Sequence, residues 1–159
     1  MTEAVKLELL QARLLAAVRR TAAPREVPNV FRPALDRVWA FLREHPGLRT
    51  DGHNVFLYHH LAQPDAGMPI DFGVEVTRHF EPEGEVRCIE TPAGEAATIV
   101  HRGPYRGLAQ THAALHAWCA ANNRKIGGYS LEVYGDWSED PSQLETTLQY
   151  LLQSSDELT

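Results

Sequence analysis

A chain of 159 residues, 43% hydrophobic and 23% charged, has the composition of a globular protein and the length to bury one core, so a single domain over residues 1–159 is predicted. Its acidic start, MTEAVKLELL, does not fit a signal peptide, and no apolar run approaches the roughly 18 residues of a membrane span. A cytoplasmic location without a membrane partner is therefore expected. A net charge of −6 disfavours binding to a phosphate backbone and suits a cationic ligand.

The first half of the chain predicts the order strand, helix, strand, strand. Residues 7–20 are apolar without a clean period, which predicts a strand and leaves a helix open. Residues 21–29 carry two prolines and are predicted to be a loop. A helix is predicted over 31–47, with a proline near its start and Pro-Gly at its end. Alternating apolar residues predict strands within 53–60 and 68–80. The apolar stripe of the helix consists of Leu35, Val38, Trp39 and Leu42.

The second half predicts the same order again. Two strand segments are predicted over 85–103, interrupted by a proline and a glycine. A helix is predicted over 103–123, with Pro104 at its first position. Strands are predicted over 129–137 and 144–153, joined by the turn-forming sequence SEDPSQ. The predicted inner stripe of this helix consists of Leu108, Leu115, Trp118 and Cys119.

The two halves also match in individual residues. When DGHNVFLYHH is set above GGYSLEVYGD, identical or aromatic positions fall 76 residues apart. This offset predicts a repeat, with one copy over about 5–80 and the other over about 86–152. The matched pairs are Gly52 with Gly128, Phe56 with Glu132, and Tyr58 with Tyr134.

The charge in GGYSLEVY is the unusual feature of its strand. Alternation places Glu132 on one face with Ser130 and Tyr134. This face is either exposed to water, as one face of many antiparallel sheets is, or it lines a cavity in which the carboxylate has a role. Because the repeat places Phe56 at the equivalent position, this face is not expected to be uniformly exposed to water, and both interpretations stay open at this point.

Several segments resemble the GyrI-like small-molecule-binding domain, the effector-binding module of many AraC-type and MerR-type regulators. They are HRGPYRGL at 101–108, a helix that ends in AW, GGYSLEVY at 127–134, and a further strand near the end of the chain. The resemblance is strong over 89–152 and looser over 5–88. The last strand departs from the family pattern, with Thr147 in place of a glutamate and Leu151 in place of a proline.

The resemblance implies an α+β fold made of a pseudo-twofold pair of βαββ units. In that fold a curved antiparallel sheet carries two long helices with a ligand cleft between them, and a strand glutamate, here Glu132, reaches into the cleft. The two repeats leave no room for a helix-turn-helix, so a stand-alone binder without direct DNA contact is expected. Haem proteins of the SOUL type resemble the same architecture, which makes His101 a weak candidate for an axial ligand.

The candidate ligand-binding residues follow from the chemistry of such a cleft. A carboxylate removed from water requires hydrogen bonds, a proton or a cation, and aromatic faces attract the same cation. Ordinary core packing is the alternative for each ring, and it is strongest for Trp39 and Trp118. The candidates are Glu132, Tyr134, Phe56, Tyr58, Tyr105, Phe31 and Trp39.

No metal site or cofactor is predicted. His112 and His116 have the spacing of a metal pair on a helix, but the glutamate of the zincin motif is missing after His112, so a helix surface is the favoured interpretation. Nucleotide-binding loops and serine-hydrolase motifs are absent from the sequence.

Three functions are considered, in order of preference. The first is a sensor or sink for amphipathic small molecules that are cationic or aromatic, in the manner of a multidrug-binding protein. The second is a hydrolase that detoxifies electrophilic, cyclopropane-bearing natural products, a class that some GyrI-like proteins resemble. In that case Glu132 is the general base and Tyr134 assists it. The third is an interaction with a protein partner such as DNA gyrase or a regulator.

Overall fold

A computed structural model describes residues 4–60 and 67–153 of the chain. Within those ranges, none of the helices combines the length and apolarity required to span a bilayer. The elements are β1 (Lys6–Leu10), β2 (Leu14–Ala22), α1 (Val27–Glu44), β3 (Arg49–His59), β4 (Met68–Val76), β5 (Arg87–Glu90), β6 (Gly94–Arg102), α2 (Leu108–Ala121), β7 (Ile126–Tyr134) and β8 (Glu145–Leu152). The pairs β1–β6, β2–β4, β2–β5, β3–β4, β6–β8 and β7–β8 are antiparallel. Together with two long helices, they confirm the predicted α+β class.

The elements divide into two units that contain the same parts. The first unit is Ala12–Pro92, and its strands follow the order β3-β4-β2-β5. The second unit combines the chain up to Gln11 with the chain from Ala93 onward, and its strands follow the order β7-β8-β6-β1. Each unit therefore holds a βαββ motif and one short additional strand. In the first unit the additional strand is β5, which pairs with β2, and in the second unit it is β1, which pairs with β6.

The pairing register of the long strands is the same in both units. Five successive pairs of β3 and β4, from Asn54 with Val74 to Tyr58 with Ile70, reappear in β7 and β8 with every residue number raised by 76. Each strand pair also has an irregularity just before this run, ahead of Asn54 in the first unit and ahead of Ser130 in the second. The predicted offset therefore describes backbone pairing as well as sequence. The last three of these pairs are Phe56 with Phe72, Leu57 with Asp71 and Tyr58 with Ile70 in the first unit, and Glu132 with Leu148, Val133 with Thr147 and Tyr134 with Thr146 in the second.

The helices bury one face each, as the apolar stripes predict. Leu35, Val38 and Leu42 are buried in the first unit. Trp39 is only half-buried, and its indole Nε1 donates a hydrogen bond to Asn54 Oδ1 at 3.2 Å. In the second unit, α2 packs against β6 and β8 through a cluster of buried side chains. The cluster contains Ala97, Ile99, Leu115, Cys119, Leu148 and Tyr150.

Three sequence-based boundaries were wrong. The segment 7–20 forms parts of two strands, β1 and β2, instead of one. The first helix starts at Val27, inside the predicted loop, because a proline in the first turn removes only an N–H that has no helical partner. Pro33 consequently lies inside α1. The second helix starts at Leu108, and the residues after Pro104 form a 3-10 turn before it.

Candidate functional site

The carboxylate of Glu132 is buried on β7. Its side chain is 8% exposed, which makes it an uncommon position for a glutamate. The hydroxyl of Tyr134, two residues further along the same strand face, donates a hydrogen bond to Glu132 Oε1 at 2.8 Å. Since a buried charge without partners is strongly unfavourable, this bond removes part of the desolvation cost.

The second carboxylate oxygen of Glu132 is held by α2. Nε2 of His112 lies 2.7 Å from Oε2, and Nδ1 of the same ring lies 2.5 Å from the hydroxyl of Tyr150 on β8. If Tyr150 donates to Nδ1, then Nε2 carries the proton and donates to Glu132, so both contacts are satisfied by a neutral imidazole. The four side chains Tyr134, Glu132, His112 and Tyr150 are called the Glu132 network below.

Both tyrosines of the network are held in the protonated state. Burial raises the pKa of Tyr134 well above its usual range, and the charge of Glu132 and the hydrogen bond to it raise it further. Burial and then the Glu132 charge likewise raise the pKa of Tyr150. Two neutral hydroxyls are therefore available as donors, and the network presents a negative charge that is fixed in position.

Aromatic groups surround the network. The ring of Tyr105 meets the ring of Tyr134 edge-to-face, with 5.6 Å between centroids, and burial raises the pKa of Tyr105. The ring of His116 meets Tyr150 in the same way, at 5.0 Å. Burial, and then the neighbouring His112, lower the pKa of His116, which disfavours its charged form. The carboxylate is therefore flanked by ring systems as well as hydrogen-bond donors.

The other candidates lie in the first unit, where the equivalent region is apolar. The ring of Phe56 lies 5.9 Å from that of Phe31 and 4.7 Å from that of Phe72. The ring of Tyr58 stacks near that of His60, at 6.5 Å. The structure thus groups Glu132 with two of the predicted tyrosines, and Phe56 with Phe31, within separate units. Ligand contact for each of these residues stays a prediction.

Two members of the network were missed by sequence reasoning. His112 was assigned to a helix surface, and this was wrong because its ring contacts both Glu132 and Tyr150. A signal was present: His112 lies one helical turn from Leu108 and from Leu115, which belong to the apolar stripe. Tyr150 follows Leu148 on the same face of β8 and could have been recognised from that alternation.

The contacts of the histidines that were considered in the sequence analysis do not support haem or metal binding. Both ring nitrogens of buried His101 are engaged, Nδ1 with Thr111 Oγ1 at 2.7 Å and Nε2 with the Pro104 carbonyl at 2.9 Å. A separate group with potential metal-ligand atoms within 4.8 Å of one another lies at the end of α1. It is open to solvent, and such exposed acidic groups are common without an ion. Its members are Glu44, His45 and Glu83.

The sequence matches a family model over nearly its whole length. Residues 3–152 fit the model of the GyrI-like small molecule binding domain. The chain belongs to the GyrI-like family. This membership confirms the resemblance that HRGPYRGL and GGYSLEVY indicated, and it extends over both repeats of the GyrI-like domain. No curated protein matches the sequence.

Solved structures share the fold at low sequence identity. The C-terminal domain of EcmrR is 20% identical, with a TM-score of 0.77 over 95% of this chain and 98% of that domain. The GyrI-like chain spans only 58% of EcmrR as seen in its complex with DNA, at 21% identity, 96% coverage of this chain and a TM-score of 0.78.

Of two further solved structures with this fold, one contains a bound ligand and the other is a hydrolase. SAV2435 bound to tetraphenylphosphonium is 11% identical, with a TM-score of 0.71 over 98% of this chain and 97% of that chain. A hydrolase encoded by lin2189 from Listeria innocua is 12% identical, with a TM-score of 0.65 over 94% of this chain and 91% of that chain. At these identities the likeness concerns the fold.

The protonation of the buried tyrosines predicts how stability changes in alkali. Because burial raises the pKa of Tyr134 above its ordinary value of 10.0, the folded chain keeps a proton that the unfolded chain loses. The resulting stability is fully present below pH 10 and falls above it, by about 1.4 kcal/mol per pH unit for each such tyrosine. Urea unfolding of the native chain and of Tyr134→Phe at several pH values from 7 to 11 measures this loss.

The variant isolates one hydroxyl of the network. We expect the free energy of unfolding of Tyr134→Phe to be about 1 to 3 kcal/mol lower than that of the native chain at pH 7, because Glu132 loses a donor. Above pH 10, the free energy of unfolding should fall less steeply with pH in this variant than in the native chain. Tyr129→Phe, at an exposed position outside the network, should follow the native pH dependence. Equal alkaline losses in the native chain and in Tyr134→Phe would show that this hydroxyl is not buried as described.

Proposed function

We propose that this GyrI-like domain binds amphipathic small molecules that carry a positive charge on an aromatic or otherwise apolar body, and that it acts as a sensor or a sink for them. The observation that carries the proposal is the buried, hydrogen-bonded carboxylate of Glu132 beside Tyr134, whose ring contacts that of Tyr105. A carboxylate in such surroundings interacts strongly with a cation because little water screens the charge.

The roles of the side chains follow from this arrangement. Glu132 supplies the charge, while Tyr134 and His112 keep its two oxygens at fixed positions. The faces of Tyr134 and Tyr105 supply the cation–π attraction that an aromatic cage gives to a poorly hydrated cation. The tetraphenylphosphonium bound by SAV2435 is a ligand of this class, with four rings around one charge.

The proposal predicts that Glu132 contributes to ligand affinity through its charge and not through its shape. Glu132→Gln keeps the side-chain shape and removes the charge, so affinity for tetraphenylphosphonium should fall about tenfold or more, as expected for a charge-assisted contact. Titration calorimetry measures this loss, with triphenylphosphine oxide as a neutral ligand that carries similar rings.

A matched control separates the site from the net charge of the chain. Glu139→Gln makes the same change in charge at an exposed position in the loop after β7, and it should bind tetraphenylphosphonium like the native chain. An equal loss of affinity for the neutral ligand in Glu132→Gln would indicate packing instead of charge. Absence of tetraphenylphosphonium binding by the native chain would contradict the proposed function.

Hydrolysis is a second candidate, and the contacts of Glu132 are the observation that favours it. A buried carboxylate bonded to His112 and Tyr134 resembles the arrangement of a general base with its orienting groups. The Listeria innocua hydrolase of the same fold is consistent with this possibility.

We expect binding without turnover. A panel of esters and epoxides, followed by product analysis, should show no product beyond the rate in buffer, because His112 and Tyr134 both serve to hold the charge of Glu132. Multiple turnovers that fall roughly a hundredfold or more in Glu132→Gln, with substrate still bound, would make hydrolysis the primary function.

A further inference from the structure

One partner of Glu132, the imidazole of His112, can itself become a cation. The hydroxyl of Tyr134 is neutral in every state that the folded chain adopts near neutral pH, since burial raises its pKa. His112, at 2.7 Å from Oε2, donates either as a neutral imidazole or as an imidazolium. The charge of the Glu132 network is therefore negative in the first state and zero in the second.

We propose that His112 is the specificity-determining residue of this site, and that a cationic ligand binds with release of a proton from its imidazolium. The inference rests on the proposed function, because it concerns a cation at Glu132. A protonated His112 fills the place of the ligand charge from inside the protein. When a cation binds, the proton passes from the imidazolium to the buffer, and no covalent bond of the ligand changes.

Contacts on both sides of the ring allow this exchange. In the neutral state Tyr150 donates to Nδ1 and Nε2 donates to Glu132, so every hydrogen bond points towards the carboxylate. In the protonated state Nδ1 also donates, and the Tyr150 hydroxyl accepts by rotating its proton. His112 is 25% exposed, so its proton has access to solvent without movement of α2.

The neighbouring groups leave His112 as the residue that switches. Burial and the Glu132 charge keep both tyrosines protonated. His116, one helical turn away, has a lowered pKa because of burial and because of His112, and it contacts Tyr150 instead of Glu132. Glu132 from β7 and Tyr150 from β8 contact the His112 ring, Tyr134 from β7 contacts Glu132, and His116 from α2 contacts Tyr150.

The direction of the pH dependence follows from the charges. A higher pH favours the neutral imidazole over the imidazolium, and without that internal positive charge the carboxylate becomes available to an external cation. Affinity for a permanent cation should therefore increase with pH, while affinity for a neutral ligand should stay constant. By linkage, the slope of log affinity against pH equals the number of protons released, which has a maximum of one here.

Titration calorimetry with tetraphenylphosphonium between pH 5.5 and 8 tests the proposal, because this ligand carries no titratable proton. We expect the native chain to bind about tenfold more tightly at the upper end of the range. Measurements at pH 6 in two buffers of different ionisation enthalpy should show proton release, which requires no variant. His112→Gln, which can donate but cannot become charged, should bind with no pH dependence, and His116→Gln should keep the native slope.

The outcomes separate the two proposals. Binding that is independent of pH in the native chain, without proton release, would overturn the role of His112 and leave the proposed function standing. If the slope of log affinity against pH persists in His112→Gln and disappears in His116→Gln, the proton comes from His116, and the proposed role of His112 is overturned. Absence of binding by the native chain at every pH would overturn the proposed function, and this inference with it.

Discussion

The hydrogen bonds to the carboxylate of Glu132 connect the packing of the second unit to its chemistry. Tyr134 donates from the same strand and His112 from α2, so the position of the helix decides whether Oε2 keeps its contact with His112. That position is fixed by the contact of Leu115 and Cys119 with Leu148 in the core. A shift of α2 would remove the contact of His112 with a buried carboxylate, at a cost of about 1.5 to 3 kcal/mol for a hydrogen bond to a charged group. If the proposed function holds, stability and ligand recognition depend on the same interface.

The two units show how one backbone frame carries two different chemistries. In β3 and β4 the register is the same as in β7 and β8, but Phe56 and Val74 occupy the positions of Glu132 and Tyr150. At these positions the first unit carries apolar side chains and the second carries polar ones. The Phe56 region needs no hydrogen bonds and packs against other rings, whereas the Glu132 region needs a complete set of partners.

Much of the fold could be predicted because its elements bury one face each. Period-two alternation and the stripe of Leu35, Val38 and Leu42 depend only on local sequence and on which face meets the core. The pairing of β1 with β6 could not be predicted in this way, because it joins segments that are about ninety residues apart and no local pattern specifies a partner. The start of α1 failed for a related reason, since a proline is compatible with both a loop and the first turn of a helix.

A site residue could be predicted where its type was unusual for its position in the sequence, as for Glu132. It could not be predicted where its type was common at such a position, as for His112. Glu132 was identified because a charge alternated with apolar residues and because Phe56 occupied the equivalent position. His112 was overlooked because histidines on a helix are usually exposed, and its partners lie on strands that come later in the chain. His101 is buried for another reason, since two hydrogen bonds satisfy its ring and hold the turn that leads into α2.

A crystal structure of the complex with tetraphenylphosphonium is the measurement that tests this account most directly. The account predicts that the phosphonium lies next to the carboxylate of Glu132, with the ring of Tyr134 or Tyr105 within about 6 Å of the charge. It also predicts that His112 and Tyr134 still hold the carboxylate in the complex. A ligand bound away from Glu132 would contradict the central claim. A complex in which the carboxylate contacts only protein groups, with the phosphonium charge too far away to interact with it, would contradict it as well.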